Sequence, residues 1–250
     1  MAEAPMNHLD QEDDAQSTDA LERLVVEAHG SREVFDAAGA WVGGQLATEG
    51  FVWVKSRKHW ERRSGTRRDL ISFASSADNR VGVRIDAWPE SMQVMDGVLG
   101  GWRHAHPDLT FVRPDSVHAI ACASSYLDHV RGYYQVRLET PALRLEHLTL
   151  AVHQLRETAL PWFTRTADPA RLSETVPDPL LAGFAVDLVE YAISHGEREQ
   201  ARQLVDRAIA ADSPLHSEFS LGRDMALRGE RPQWHTKSAL GWSSSVLGLF

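Results

Sequence analysis

The spacing of apolar positions changes character along the chain. Between residues 19 and 50 it is three and four, with Leu21, Leu24, Val25 and Ala28 on one stripe and Val34, Phe35, Ala38, Trp41, Val42 and Leu46 on a second. That spacing predicts two amphipathic helices. Asp19 and Glu22 stand at capping-box distance, Gly30 reads as the stop of the first helix and Ser31 as the N-cap of the second. From residue 51 to 88 the period becomes two, in segments 51–60, 70–75 and 81–88 separated by Ser64-Gly65-Thr66 and Ser76-Ala77-Asp78-Asn79. This is the pattern of an antiparallel meander. In its third segment Val81, Val83, Ile85 and Ala87 share one face, with Arg84 and Asp86 on the other.

Pro89-Glu90-Ser91 then reads as the opening of a helix that turns Met92, Met95, Leu99 and Trp102 inward and closes at His106-Pro107. Segments 118–123 and 132–139 supply two more strands, and Pro141 marks the exit from the sheet. Beyond it only helices are expected: 143–159, interrupted at Pro161, a short piece after Asp168-Pro169, then 179–195, 197–210 and 214–228. Gly196 separates two of these so closely that they must form an antiparallel hairpin, Leu181, Phe184, Leu188 and Ala192 facing Ala201, Leu204, Val205, Ala208 and Ile209.

The expected fold is therefore α+β, an antiparallel sheet of about five strands covered by helices and followed by a C-terminal helical hairpin lobe. The boundaries read as a disordered acidic tail at 1–17, a sheet domain at 18–160, a helical lobe at 161–234 and an apolar C-terminal tail at 235–250. Leu240, Trp242, Val246, Leu247, Leu249 and Phe250 in that last stretch are expected to tuck into the protein.

Composition narrows the class. With 250 residues, 43% of them hydrophobic, the chain buries a core without cross-links, and its one cysteine, Cys122, excludes an internal disulfide framework or a multi-cysteine metal site. No run approaches the roughly 18 apolar residues that span a bilayer, so a cytoplasmic protein without membrane contact is expected. Lys55, Lys58 and Lys237 are the only lysines among 26 basic residues, an arginine bias that fits a GC-rich bacterial genome. The net charge of −9 is concentrated at the start, where residues 1–22 hold seven acids and no Lys or Arg. Such a tail has too few apolar groups to offset its ordering entropy.

The chemistry-bearing motifs are mostly missing. There is no Walker A or G-x-G-x-x-G loop, no G-x-S-x-G elbow and no H-E-x-x-H pair. The most basic segment, 55–68, has a net charge of +6, seven bases against Glu61, and is bracketed by Trp53 and Trp60. Trp53, Arg57, Lys58, Trp60, Arg62, Arg63, Arg67 and Arg68 form the candidate partner surface. Its readings are a solvated hairpin whose charges blunt a sheet edge, a dock for an acidic partner or for the protein's own tail, and a nucleic-acid site.

His104-Ala105-His106-Pro107-Asp108 is an H-x-H-x-D string, which makes His104, His106 and Asp108 the metal candidates. It lacks a further His, and histidines at a helix C-terminus also serve the dipole. Cys122 with His118 or His129 forms a nucleophile-base candidate, against the commoner reading of a small buried thiol. Glu139, Glu146, Glu157, Asp86 and Asp128 are carboxylates that nothing in the sequence brings together. No catalytic residue, metal or cofactor is assigned.

Leu46-x-x-x-Gly50-Phe51, Trp60-Glu61-Arg62, the strand 71–75, Trp102-Arg103-x-x-His106-Pro107 and Ala159-Leu160-Pro161-Trp162-Phe163 together resemble an uncharacterised bacterial family with a small α+β domain. The resemblance covers residues 31–230 and brings no catalytic residues with it. It implies a binding role of the kind seen in immunity or accessory partner-binding proteins. The expected function is a non-catalytic cytoplasmic protein-interaction module with a protein partner. A hydrolase or nuclease using a site near His104, His106 or His118, and nucleic-acid binding through residues 55–68, are the alternatives.

Overall fold

The computed structural model describes residues 8–113, 115–123, 135–211, 215–233 and 236–250. In chain order these contain α1 (His8–Glu27), α2 (Ser31–Gln45), β1 (Val52–Val54), β2 (His59–Ser64), β3 (Arg67–Ser75), β4 (Asp86–Asp96) and α3 (Gly97–Ala105). There follow β5 (His118–Ala123), β6 (Val136–Arg137), α4 (Arg144–Arg165), α5 (Leu172–Thr175), α6 (Asp178–Ser194), α7 (Arg198–Ala211), α8 (Leu215–Leu227) and α9 (Ala239–Val246). The fold is α+β. Its sheet runs in the order β1-β2-β3-β4-β5, with β6 also paired to β4.

The chain forms two compact units that share its strands: residues up to 62, 71–90 and 131–157 make the first, and 63–70, 91–130 and 158–250 the second. α4 passes from one into the other, so the 160/161 boundary read from sequence falls inside a continuous helix that also contains Pro161. Ala159, Trp162 and Phe163 around that proline are at most 1% exposed. Their burial holds the helix together where the missing N–H would break an isolated one.

In the first unit, α2 follows its sequence pattern, with Val34, Phe35, Ala38, Trp41 and Val42 buried. Its N-cap is Gly30, not Ser31, and the Glu33 carboxylate accepts the backbone N–H groups of Gly30 (3.1 Å) and His29 (3.3 Å). Those two bonds hold the Glu33 carboxyl below its usual range. α1 starts at His8, not near Asp19 as the capping pattern predicts, so the acidic stretch read as disordered is helical from residue 8. Residues 1–7 lie outside the described residues. The C-terminal carbonyls of α1 are capped by Arg144, only 3% exposed, whose guanidinium donates to Val25 O (2.8 Å), Val26 O (3.3 Å) and Ala28 O (2.9 Å) and to Leu138 O (2.7 Å). A buried cation there satisfies acceptors that the helix end leaves open.

Two strand assignments shift. Val81 and Val83, predicted to face the core, are 60% and 73% exposed in a turn around Gly82 (φ 74°), closed by a bridge between Arg80 and Arg84. Asn79, just before that turn, donates through its side chain to Asp86 O (3.0 Å) and accepts from Asp86 N–H (2.8 Å), while Ser76 N–H donates to Asp86 O from the main chain (3.2 Å). Residues 91–96, read as the first turn of a helix, continue β4 and pair with β5 in the register Met92↔Cys122 and Val94↔Ile120. Met92 and Met95 satisfy a helical period, but Met92, Val94 and Asp96 also satisfy a period of two, and pairing with β5 selects the second. α3 starts six residues later, at Gly97, capped by Asp96 Oδ1 accepting from Leu99 N–H at 2.8 Å. Residues 132–134 of the predicted fifth strand lie outside the described residues, and among the described ones Val136–Arg137 form β6.

In the second unit, α6 and α7 form the predicted hairpin across Gly196 (φ 82°), with Leu181, Leu188 and Ala192 buried on one arm and Ala201, Leu204, Val205 and Ala208 on the other. Phe184 departs from the pattern: its backbone (φ −134°, ψ 22°) leaves the helical region and breaks α6. Of the apolar C-terminus expected to tuck in, Leu240, Trp242, Leu247 and Leu249 are buried, Val246 is half-buried and Phe250 is exposed; α9 packs on α8, where a Cβ on Gly222 would lie 1.9 Å from Ser238 O and one on Gly241 1.9 Å from Phe219 O. Backbone lies against backbone.

The same unit contains a charged core. Arg103, fully buried, donates through Nε to Glu190 Oε2 (2.7 Å), through Nη2 to Asp187 Oδ1 (3.0 Å) and through Nη1 to His118 O (2.6 Å) and Ser116 O (3.2 Å). Glu190, also fully buried, accepts the N–H of Phe111 (2.6 Å) with its other oxygen. The resemblance motif Trp102-Arg103 thus carries a structural clamp.

Candidate functional site

The predicted partner surface divides between the units. In the first, Gly39 and Gly43 lie one turn apart on α2, and the indole of Trp53 rests on the helix where side chains would otherwise stand. A Cβ on Gly39 would be 2.4 Å from Trp53 Cζ2. Trp53 and Trp60 are directly opposed across β1 and β2, with centroids 5.4 Å apart, and Trp60 Nε1 donates to Gly39 O at 2.8 Å. Phe73 joins Trp60 at 4.8 Å and stacks on Phe35 at 4.7 Å, 14° from parallel. These four rings make one aromatic cluster in which Trp53 remains half-buried and Trp60 is fully buried.

Substituting Gly39 by Ala is expected to displace Trp53, cost about 1–3 kcal/mol and shift the tryptophan emission, measured by denaturant titration and fluorescence. An unchanged spectrum would show that Trp53 does not rest on Gly39.

Beside this cluster opens a groove of about 940 Å³. Phe35 and Trp53 line it together with Arg32, Asp36, Lys55 and Lys58, while Ser75, Ser76 and Asn79 complete the wall. Lys58 takes a left-handed conformation (φ 53°) closing the single turn Lys55–Arg57, and its Nζ sits 5.6 Å from the Phe35 ring centroid. Asp36, the groove's one acid, is held by Lys55 Nζ at 3.0 Å. The lysine is exposed and the aspartate half-buried, so solvent screens the pair and it adds little stability. Arg57 is exposed between the two lysines. β1 is an edge strand of three residues followed by lysine, the usual protection against unwanted pairing.

The other predicted contacts are placed differently. Trp60 is 0% exposed and has no surface to offer a partner. Arg67, 9% exposed, faces inward because it shares its strand face with Asp69, Ile71 and Phe73. It pairs with Asp69 Oδ1 (2.8 Å) and caps the C-terminus of α4 through Thr166 O (2.6 Å) and Phe163 O (2.9 Å). Arg62 is half-buried over the Phe51 ring at 4.8 Å. Arg63 is exposed and Arg68 half-buried near Met95 Sδ (3.4 Å), both in the second unit. The cationic surface is therefore smaller than its run of basic residues predicts, and it gains Arg32, Phe35 and Lys55, which α2 and the turn after β1 bring to Trp53.

His104, His106 and Asp108 are all exposed, and His106 stacks on Trp102 at 5.3 Å while its Nδ1 meets Trp102 O at 2.9 Å. They do not gather as ligands. Among the described residues no group of three His, Cys, Asp or Glu is arranged to hold a metal ion. His118 is pushed below its ordinary range first by burial and then by the charges of Arg103 and Arg68. His129, its alternative as a base for Cys122, lies outside the described residues, as does Asp128. No described helix is long and apolar enough to cross a membrane. No family model, curated protein or solved structure matches the chain.

Proposed function

We propose that this protein is a non-catalytic bacterial interaction module of the cytoplasm, which receives an acidic segment of a partner protein in the groove between α2 and β1. The observation that supports this most is the pairing of the half-buried Trp53, backed by the buried Phe35, with the cationic side chains Arg32, Lys55 and Lys58 in one open groove. Aromatic rings supply contact area at low entropic cost, and the cations attract and orient acidic groups. The inward placement of Arg67 weakens the nucleic-acid alternative, because phosphate contacts need exposed cations.

The test is a titration of the full chain, followed by intrinsic tryptophan emission with a Trp53→Phe variant as the reference for that residue's share, with poly-L-glutamate, with a peptide of residues 1–17 and with single-stranded DNA, each at low and moderate salt. Poly-L-glutamate is expected to bind in a salt-sensitive manner, and the double change Lys55→Glu with Lys58→Glu to weaken it about tenfold or more. Tighter binding of the DNA, or indifference to the charge reversal, would overturn the proposal. Binding of the 1–17 peptide would show that the chain's own tail fits the groove.

A further inference from the structure

The first unit carries a second concave face, opposite in charge to the groove. Asp19, Glu22, Arg23, Val26 and Glu27 of α1 line it with Leu145 at the start of α4, around a hollow of about 560 Å³. Positions 19, 22 and 26 fall on one stripe of the helix. Asp19 and Glu27 are exposed and Glu22 is half-buried, and among the described residues no base pairs with their carboxylates. Arg23, the one Lys or Arg in α1 against seven acids, turns its Nε to Asp19 O at 3.3 Å.

In the groove the cations are in excess. Arg32, Lys55 and Lys58 line it, Arg57 is exposed beside them, and the groove's acid, Asp36, is taken by Lys55. An acidic helix face that also presents Val26 matches this groove in sign and offers a side chain to Trp53 and Val54. The lysine stems can lie along such apolar surface while their ammonium groups reach the carboxylates.

The chain's own α1 cannot take that place. Arg144 holds its last carbonyls, Val25 is fully buried, and Leu21 lies so close to α2 that a Cβ on Gly44 would be 2.8 Å from its Cδ1. Gly44 stands twelve residues beyond Arg32, about 18 Å along α2. α1 is thus fixed along α2 with its acidic face beside Leu145.

We propose that the acidic segment received by the groove is α1 of a second copy of this chain. The inference rests on the reading of the groove given above and names its partner. Two such contacts related by a twofold axis close a dimer, each copy giving one groove and one helix.

The test is sedimentation equilibrium of the full chain at low and moderate salt. The parent is expected to reach the mass of a dimer at low salt and to fall toward the monomer as salt screens the contact. Lys55→Glu with Lys58→Glu, and separately Asp19→Lys with Glu22→Lys, should each weaken self-association about tenfold or more. Mixing the two variants should restore dimers, because both contacts are then complementary again. Poly-L-glutamate should compete and lower the parent's mass. Each variant is checked first for a native circular dichroism spectrum, and if one fails, the salt dependence and the competition decide. A parent that stays monomeric at low salt but still binds poly-L-glutamate would overturn this inference and leave the groove's reading standing, whereas failure to bind poly-L-glutamate would overturn both. A dimer indifferent to salt and to the charge reversals, or no recovery on mixing, would also overturn it.

Discussion

Replacing Arg103 by methionine is expected to lower the unfolding free energy by about 3–5 kcal/mol, as measured by urea denaturation. The guanidinium is fully buried and is the shared partner of two carboxylates and two backbone carbonyls. Methionine fills similar volume but leaves Glu190, itself fully buried, facing Asp187 with no positive charge between them. The cost comes from those stranded charges more than from the lost hydrogen bonds, since breaking one partner of a buried pair costs more than the pair contributes. A triple change, Arg103→Met with Glu190→Gln and Asp187→Asn, should therefore recover a large part of the loss.

The loss should also depend on pH. In the native protein Asp187 has a folded value of about 6 against an ordinary 3.8, so the folded state binds more protons than the unfolded state between them, and stability from this group falls as pH rises through that window. Removing Arg103 takes away the charge that opposes this rise. The destabilisation of Arg103→Met should therefore be larger at pH 8 than at pH 5, and Asp187→Asn alone should flatten the profile. A variant as stable as the parent at pH 8 would show that the clamp carries no stability.

The crossing of α8 and α9 should be as sensitive, through sterics alone. Gly222→Ala or Gly241→Ala puts a methyl group where a carbonyl oxygen lies 1.9 Å away, and in both cases that oxygen belongs to backbone. Neither helix can yield by rotating a side chain, so the pair must separate and expose Trp242, Leu240 and Phe219, all now buried. The expected loss is roughly 3 kcal/mol, with a lower midpoint in thermal unfolding. Gly101→Ala is the control. It lies in α3 with nothing within 4 Å of an added Cβ, and the gain in helix propensity should leave stability unchanged or raised by about 0.5–1 kcal/mol. If all three variants unfold together, the close approach of α8 and α9 does not limit stability.

Where the hydrophobic period is long and unambiguous, the sequence by itself determined the element and its buried face. The stripe Val34, Phe35, Ala38, Trp41 and Val42 on α2 and the hairpin across Gly196 are of this kind, because an apolar face has only one way to leave water. The α+β class followed from the same signal. Over windows of five or six residues the signal is degenerate, and only the tertiary structure decided. Residues 91–96 are a strand because β5 lies beside them to take their hydrogen bonds, and Val81 and Val83 face solvent because the chain turns around Gly82 between the bridged Arg80 and Arg84, with Asn79 tied to the Asp86 backbone.

Charge was the least legible property. A run of basic residues looks alike whether its members point outward or cap a helix, and Arg67 and Arg144 cap α4 and α1 while Lys55 and Lys58 line the groove. What separates them is where each stands on its strand, turn or helix and which distant carbonyls it meets there: partners 96 and 99 residues away for Arg67, 116 to 119 for Arg144. The clamp of Arg103 on Glu190, 87 residues further along, is of the same kind. Local pattern determined which segments become helix or strand, and long-range pairing of polar groups decided where the charges go, because an ion leaves water only where folding brings its partners to it.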